Sequence, residues 1–329
     1  MDHPTDQEFQ ARPQPPEDDR PPTEPERLGP ALEPAASAAT PAAATSASGG
    51  TGATADCGCD TAAFAEQGGA TERANHYVYV LGQVDFRFPS LAVEKEVAQA
   101  VARSESADLT DRQAVHAVIT QPENRYLARQ LCYALCVQGM ETYILRPRDP
   151  VEFDRLVEAV RPEPKGTDLD VVIGHRGPLA PPSLCNGLTI PLVSFEQIYS
   201  FTSDELIAAI GKPQGMSDER FEASSHELLH RVMQLADNAG DTDEHRAINY
   251  LAVRYPRIYE KTVEAFAAES SLSGVSFHES RLSGARRITD VVFCYTDRRT
   301  DVSEKFFVRV DVTEPFPFLV NKLCAYYDR

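Results

Sequence analysis

His226-Glu227-Leu228-Leu229-His230 is an H-E-x-x-H pentapeptide. On a helix, two histidines four residues apart share a face, where they can ligate zinc while the glutamate acts as general base. The polarity of that helix argues against this chemistry. Phe221, Leu228, Leu229, Val232 and Leu235 define its apolar face, and both histidines fall roughly 110–150° from the centre of that face at about 100° per residue. The position that would extend the motif to H-E-x-x-H-x-x-G-x-x-H is Ala236, and the next candidates, Glu244 and His245, sit at or beside a helix start. The expectation is no cofactor, with zinc on His226 and His230 as the alternative.

A second chemistry needs a thiol. His175 and Cys185 could act as base and nucleophile, but neither an orienting partner nor a donor pocket can be named, so a buried structural Cys185 is expected. Cys132 and Cys136 stand four apart and read as core residues of a helix. Cys57-Gly58-Cys59 offers two thiols, too few for a metal site. Gly174-His175-Arg176-Gly177 ends a strand run, a place where α/β layouts often hold ligands. No Gly-Lys-Ser/Thr, G-x-G-x-x-G or G-x-S-x-G pattern occurs. No residue is therefore assigned a catalytic role.

Arginine supplies the remaining chemistry. Arg125 and Arg129 lie one helical turn apart, and Arg176 leaves the end of a strand. A guanidinium fork suits bidentate capture of a carboxylate. These three are the candidate ligand-binding residues. The competing expectation pairs Arg125 with an internal acid such as Glu123 or Glu141, and Arg129 likewise.

The elements that would position these residues follow from periodicity. Tyr77–Val80 reads as a strand, 91–101 as a helix, and a short helix follows Thr110. Leu127, Leu131 and Leu135 recur every four residues, which predicts one helix from Pro122 to Gly139 with Gly139 as its C-terminal cap. Glu141–Leu145, Val171–Ile173 and Leu188–Val193 read as strands. Asp149-Pro150-Val151-Glu152 opens a helix that buries Phe153, Leu156, Val157 and Val160. After residue 213 come helices near 217–236, 243–254 and 256–268, the second opened by a capping box of Asp241 and Glu244. Alternating apolar residues follow at Val275/Phe277, at Val291/Phe293/Tyr295 and from Phe306 to Val312. The class is α+β: an α/β-like first domain with a short sheet and helices over 76–213, then a second domain, 214–329, of helices followed by an antiparallel sheet.

Composition sets the outer limits. The chain has 329 residues and a formal net charge of -18. Residues 1–75 hold 13 acids and 4 bases with ten prolines and almost no large apolar residues, which predicts a disordered acidic tail. An acidic surface repels phosphate, so nucleic acid and anionic membrane are not expected partners. The N-terminus shows no basic region before an apolar run, and no stretch of 18 apolar residues occurs. Seven cysteines at irregular spacing predict free thiols in a reducing cytoplasm.

Long strings carry a family resemblance. Tyr77-Val78-Tyr79-Val80-Leu81-Gly82, Phe88 to Glu96, Glu123 to Cys132, Glu141 to Leu145, Val171-Val172-Ile173-Gly174 with Arg176-Gly177-Pro178, and Cys185-Asn186-Gly187 resemble the domain of unknown function of cyanobactin maturation proteases of the PatG type. Ala236 to Gly240, Asp243 to Ala247, Asn249 to Tyr255 and Val308 to Thr313 are similar to the extreme C-terminal domain of the same proteins. The resemblance covers roughly 76–329. It implies a place in the processing of ribosomally made peptides. The family's subtilisin-like domain finds no counterpart in the 75 residues ahead of the resemblance, so its triad is not carried over. H-E-x-x-H is not a general feature of the family. What the resemblance implies is a non-catalytic accessory protein that binds a precursor peptide or a maturation enzyme; the alternatives are a zinc hydrolase at His226-Glu227-His230 and a thiol enzyme at Cys185.

Overall fold

The apolar run from Val78 to Leu81 opens strand β1, Tyr77–Arg87. These four residues are buried on both faces, which is why the run does not alternate. Gly82 marks the point where β1 changes neighbour. Tyr77 to Gly82 pair with β4 (Asp168–Leu179), and Gln83 to Arg87 pair with β2 (Cys132–Val137). A Cβ at Gly82 would stand 2.5 Å from the Cys136 carbonyl oxygen, so only glycine lets the strand cross so closely. This is a computed structural model, and it describes residues 76–104, 108–210, 212 and 217–327. The acidic tail, with Cys57 and Cys59, lies outside the described residues.

Strands β3 (Met140–Pro147) and β5 (Pro191–Thr202) complete the first sheet. Its order is β1-β2-β3-β5-β4, closed into a barrel, antiparallel except where β3 runs beside β5. Between β1 and β2 come α1 (Leu91–Arg103), α2 (Asp111–Ile119) and, after a 3-10 turn, α3 (Arg125–Gln130). Helix α4 (Glu152–Ala159) connects β3 to β4. This closed five-strand order, with a helix between the third and fourth strands, has the connectivity of the oligonucleotide- and oligosaccharide-binding (OB) barrel. Tyr133, Leu135, Val137, Tyr143 and Leu145 fill its core with Val78, Val80, Val172 and Phe195.

After α5 (Ser203–Ala209) the chain forms α6 (Asp218–Met233), α7 (Asp243–Arg254) and α8 (Arg257–Ala267). The antiparallel strands β6 (Ser270–Glu279), β7 (Ile288–Asp297) and β8 (Ser303–Asp311) follow, with the short β9 (Phe318–Leu319) and β10 (Cys324–Ala325) both on β8. Val291, Phe293, Val308 and Val310 pack inward on Leu228, Leu251 and Ile258 of the helices. Tyr79, Leu81, Val171 and Ile173 of the barrel wall join the same core. The expected class and order hold: a mixed sheet with helices, then helices followed by an antiparallel sheet.

Three local expectations are corrected. Pro122–Gly139 is not one helix. It is a 3-10 turn, α3 and then strand β2, and Cys132 and Cys136 lie on the strand. Gln138 and Gly139, at φ 51° and 78°, form the two-residue turn of the β2–β3 hairpin, where both residues need positive φ. The cap of α7 is Thr242, whose hydroxyl accepts from the His245 amide at 3.2 Å, one residue after the expected Asp241. Asp149 accepts from the Val151 amide at 2.9 Å and sets the turn before α4 without capping it.

Candidate functional site

Helix α6 carries the H-E-x-x-H residues to one wall of a cleft of ≈ 590 Å3. The opposite wall comes from the barrel: Gly82, Cys136, the Gln138-Gly139 turn and the start of β4. The histidines therefore lie away from the helix's buried face, as expected, and are covered in part by a second element. His226 Nε2 lies 3.2 Å from Asp204 Oδ1, and His230 Nε2 lies 2.9 Å from Gln234 Nε2. Glu227 accepts from Arg231, 2.9 Å to Nη2. Burial, with the charges of Asp85 and Glu141 adding to it, pushes the Cys136 thiol up to about 11. At neutral pH it is a thiol and not a ligand-ready thiolate. Among the described residues no group of three or more His, Cys, Asp or Glu is placed to hold a metal ion.

The thiol-enzyme arrangement is overturned. Cys185 is bonded to Cys132 with the Cα atoms 5.8 Å apart, and both are buried. The expectation of free thiols fails at this pair, while Cys136, Cys294 and Cys324 are free. Cys132 points outward from β2, and Cys185 sits in the β4–β5 connection. Packing with Ile144 and Ala180 brings the two together on the outside of the barrel. His175 turns to Glu196 at 3.4 Å.

The candidate arginines part ways. Arg125 pairs with Asp154 of α4, a partner other than the two acids considered from sequence. Arg176 pairs with Asp241 at 3.4 Å. Arg129 makes no ion pair among the described residues. Its guanidinium lies over the Phe153 ring at 5.8 Å and lines a pocket of ≈ 560 Å3 at the end of β3. Arg146 and Arg148 line the same pocket. Sequence reasoning missed both, because nothing in a β-strand's last residues announces what it faces across the barrel.

Buried charge elsewhere is structural. Arg246 is fully buried, donates to the Val312 carbonyl at 2.6 Å and to that of Glu314, and is held down to about 10 by burial. Asp170 accepts from the Val84 amide at 2.7 Å and the Ser200 hydroxyl at 2.6 Å, and burial raises its carboxyl. These groups tie strands and loops together beneath the surface.

A closed mixed barrel joined to a helix-and-sheet half defines the class. Residues 215–326 match the family described as PatG C-terminal. The solved structure titled PatG Domain of Unknown Function has the same fold, with a TM-score of 0.61 at 20% sequence identity, covering 77% of this chain and 99% of that one. No curated protein matches the chain. No helix among the described residues is long and apolar enough to cross a membrane.

Proposed function

We propose that this chain is a non-catalytic accessory protein in the maturation of ribosomally made, cyanobactin-like peptides, acting by binding a precursor peptide or a maturation enzyme. The match of residues 215–326 to the PatG C-terminal family carries this reading. The shared fold supports it at the level of architecture, while activity has to be argued from sites. Two local observations favour binding over catalysis. The Cys185 sulfur is committed to Cys132, and His226 is directed to Asp204. Of the arginines singled out in the sequence, Arg129 is the one that forms no ion pair among the described residues.

The test is a processing assay. A precursor peptide is incubated with its maturation protease, with and without this protein, and followed by mass spectrometry. The proposal expects faster or cleaner processing when the protein is present, and an intact peptide when it acts alone. Identical processing in both arms would remove the accessory role.

A further inference from the structure

Three arginines line the pocket at the end of β3, and no aspartate or glutamate does. In a chain of net charge -18 such a site departs from the prevailing field. Arg129 comes from α3, Arg146 from β3, and Arg148 from the segment leading to α4. Arg129 and Arg146 are exposed and form no ion pair among the described residues. Arg148 shares Glu196 with His175, at 2.5 and 3.4 Å. A surface arginine usually finds an acid or stays well separated from other cations. With Arg148 taken up by Glu196 and no acid in the lining, Arg129 and Arg146 leave uncompensated charge at the pocket that an anion would relieve.

The floor decides what kind of anion. Leu131, Tyr133, Phe153 and Leu156 supply the apolar part of the lining, and the Phe153 ring lies under both Arg125 and Arg129 at 5.8 Å. Ring contact holds the Arg129 guanidinium in place and leaves its N–H groups for a ligand. A small inorganic anion would use the charge and waste the floor. A carboxylate beside an apolar side chain would use both. The chain's own negative charge opposes a polyanion such as nucleic acid, whose phosphates outnumber the arginines, far more than it opposes one or two carboxylates.

The pocket also sits where this barrel type binds. Cys132 and Tyr133 of β2 and Ile144 to Pro147 of β3 line it, and in OB barrels the face of the second and third strands is the ligand face. The Cys132–Cys185 bond holds the β4–β5 connection, the second ligand-framing loop of such barrels, against that face.

We propose that the Arg129–Arg146–Arg148 pocket is a binding site for an acidic peptide segment, taking a side-chain carboxylate on the arginines and a neighbouring apolar side chain on the Phe153 floor. This rests on the reading above that the chain binds a peptide, and it names where and by what chemistry.

The experiment uses the full chain and a fluorescent, acetylated peptide alternating glutamate with leucine. Fluorescence anisotropy should show binding that weakens between about 50 and 500 mM salt. Arg146→Ala and Arg129→Ala should each weaken it about tenfold or more, with melting temperature unchanged, and Arg146→Lys should restore part of the loss. A glutamine-for-glutamate peptide should lose affinity as the alanine variants do. The site is overturned if the variants bind like wild type, if the glutamine peptide binds equally, if no binding occurs at low salt, or if a single-stranded oligonucleotide of equal length binds more tightly. If the acidic probe binds through the arginines while a co-encoded precursor does not, the pocket stands and the precursor-binding part of the proposed function falls alone.

Discussion

Asn249 of α7 donates from Nδ2 to the main-chain carbonyl of Tyr79 in β1 at 2.9 Å, although 170 residues separate them. The first half of β1 pairs only with β4, because β2 joins it from Gln83 onward. The other edge of the strand there would leave main-chain groups unpaired. Asn249 takes the Tyr79 carbonyl, and the Gly240 carbonyl takes the Tyr79 amide at 2.9 Å. Gly240 has φ +69°, and a Cβ on it would stand 2.5 Å from the Tyr79 oxygen. The second half of the molecule thus completes a barrel edge that the barrel's own strands leave open.

Asn249→Leu should therefore destabilise the whole protein. Asn238 and Asn249 exchange amide hydrogen bonds at 2.7 and 3.0 Å in a buried setting, so the substitution strands the Asn238 side-chain oxygen and the Tyr79 carbonyl together. A loss of about 2–4 kcal/mol in urea unfolding is expected, with a single transition retained. A loss below about 0.5 kcal/mol would mean that the contact does not bear on folding.

The Cys132–Cys185 bond closes a loop with a sequence separation of 53 that contains all of β3, α4 and β4. Chain entropy assigns a crosslink of this loop length about 4 kcal/mol. Reduction should lower the melting temperature of the wild type and leave Cys185→Ser unmoved. Intact-mass analysis after alkylation under denaturing conditions should show two fewer modifiable thiols without reductant than with it. Equal labelling in both conditions would contradict the bond.

This pair also shows where sequence reading stopped. Leu127, Leu131 and Leu135 sit four apart, which fits a helix face, but four is also an even number, so Leu131 and Leu135 share one side of a strand equally well. Pairing with β1 and β3 makes Cys132 to Val137 a strand against the helix expected there. With Cys132 on a strand rather than a helix, its partner could not be foreseen 53 residues away. By contrast α1, α2, α6, α7, α8 and the β6–β8 meander were legible, because each keeps a single apolar period along its length. Arg129 was legible as an exposed charge. Arg146 and Arg148 were not, since only barrel closure brings the end of β3 beside α3.

Metal content offers a separate check. Elemental analysis of protein purified without chelator should give no stoichiometric zinc dependent on His226 and His230, because each ring already meets a side-chain neighbour, Asp204 or Gln234. One zinc per chain that disappears in His226→Ala would promote the hydrolase reading over the one proposed above.

Acid should weaken the fold before the carboxylates titrate. Burial lowers the pKa of His245 and of His116, so the folded state holds both rings neutral where the unfolded chain would protonate them. Their contribution is fully present above the unfolded value of about 6.5 and is lost as pH falls through that value toward the folded one. The urea midpoint should therefore drop from pH 7.5 to pH 5.5. The drop should be smaller in a His116→Gln, His245→Gln double variant. An equal drop in both proteins would assign the acid sensitivity elsewhere.

The central claim is that this chain binds a maturation peptide without cutting it. Isothermal titration of a co-encoded precursor into the purified protein, followed by mass spectrometry of the same sample, tests both halves at once. The account predicts a saturable heat that shrinks in Arg129→Ala and Arg146→Ala, and a precursor recovered at its original mass. No heat with any co-encoded peptide, or fragments whose yield scales with protein and vanishes in His226→Ala, would contradict it.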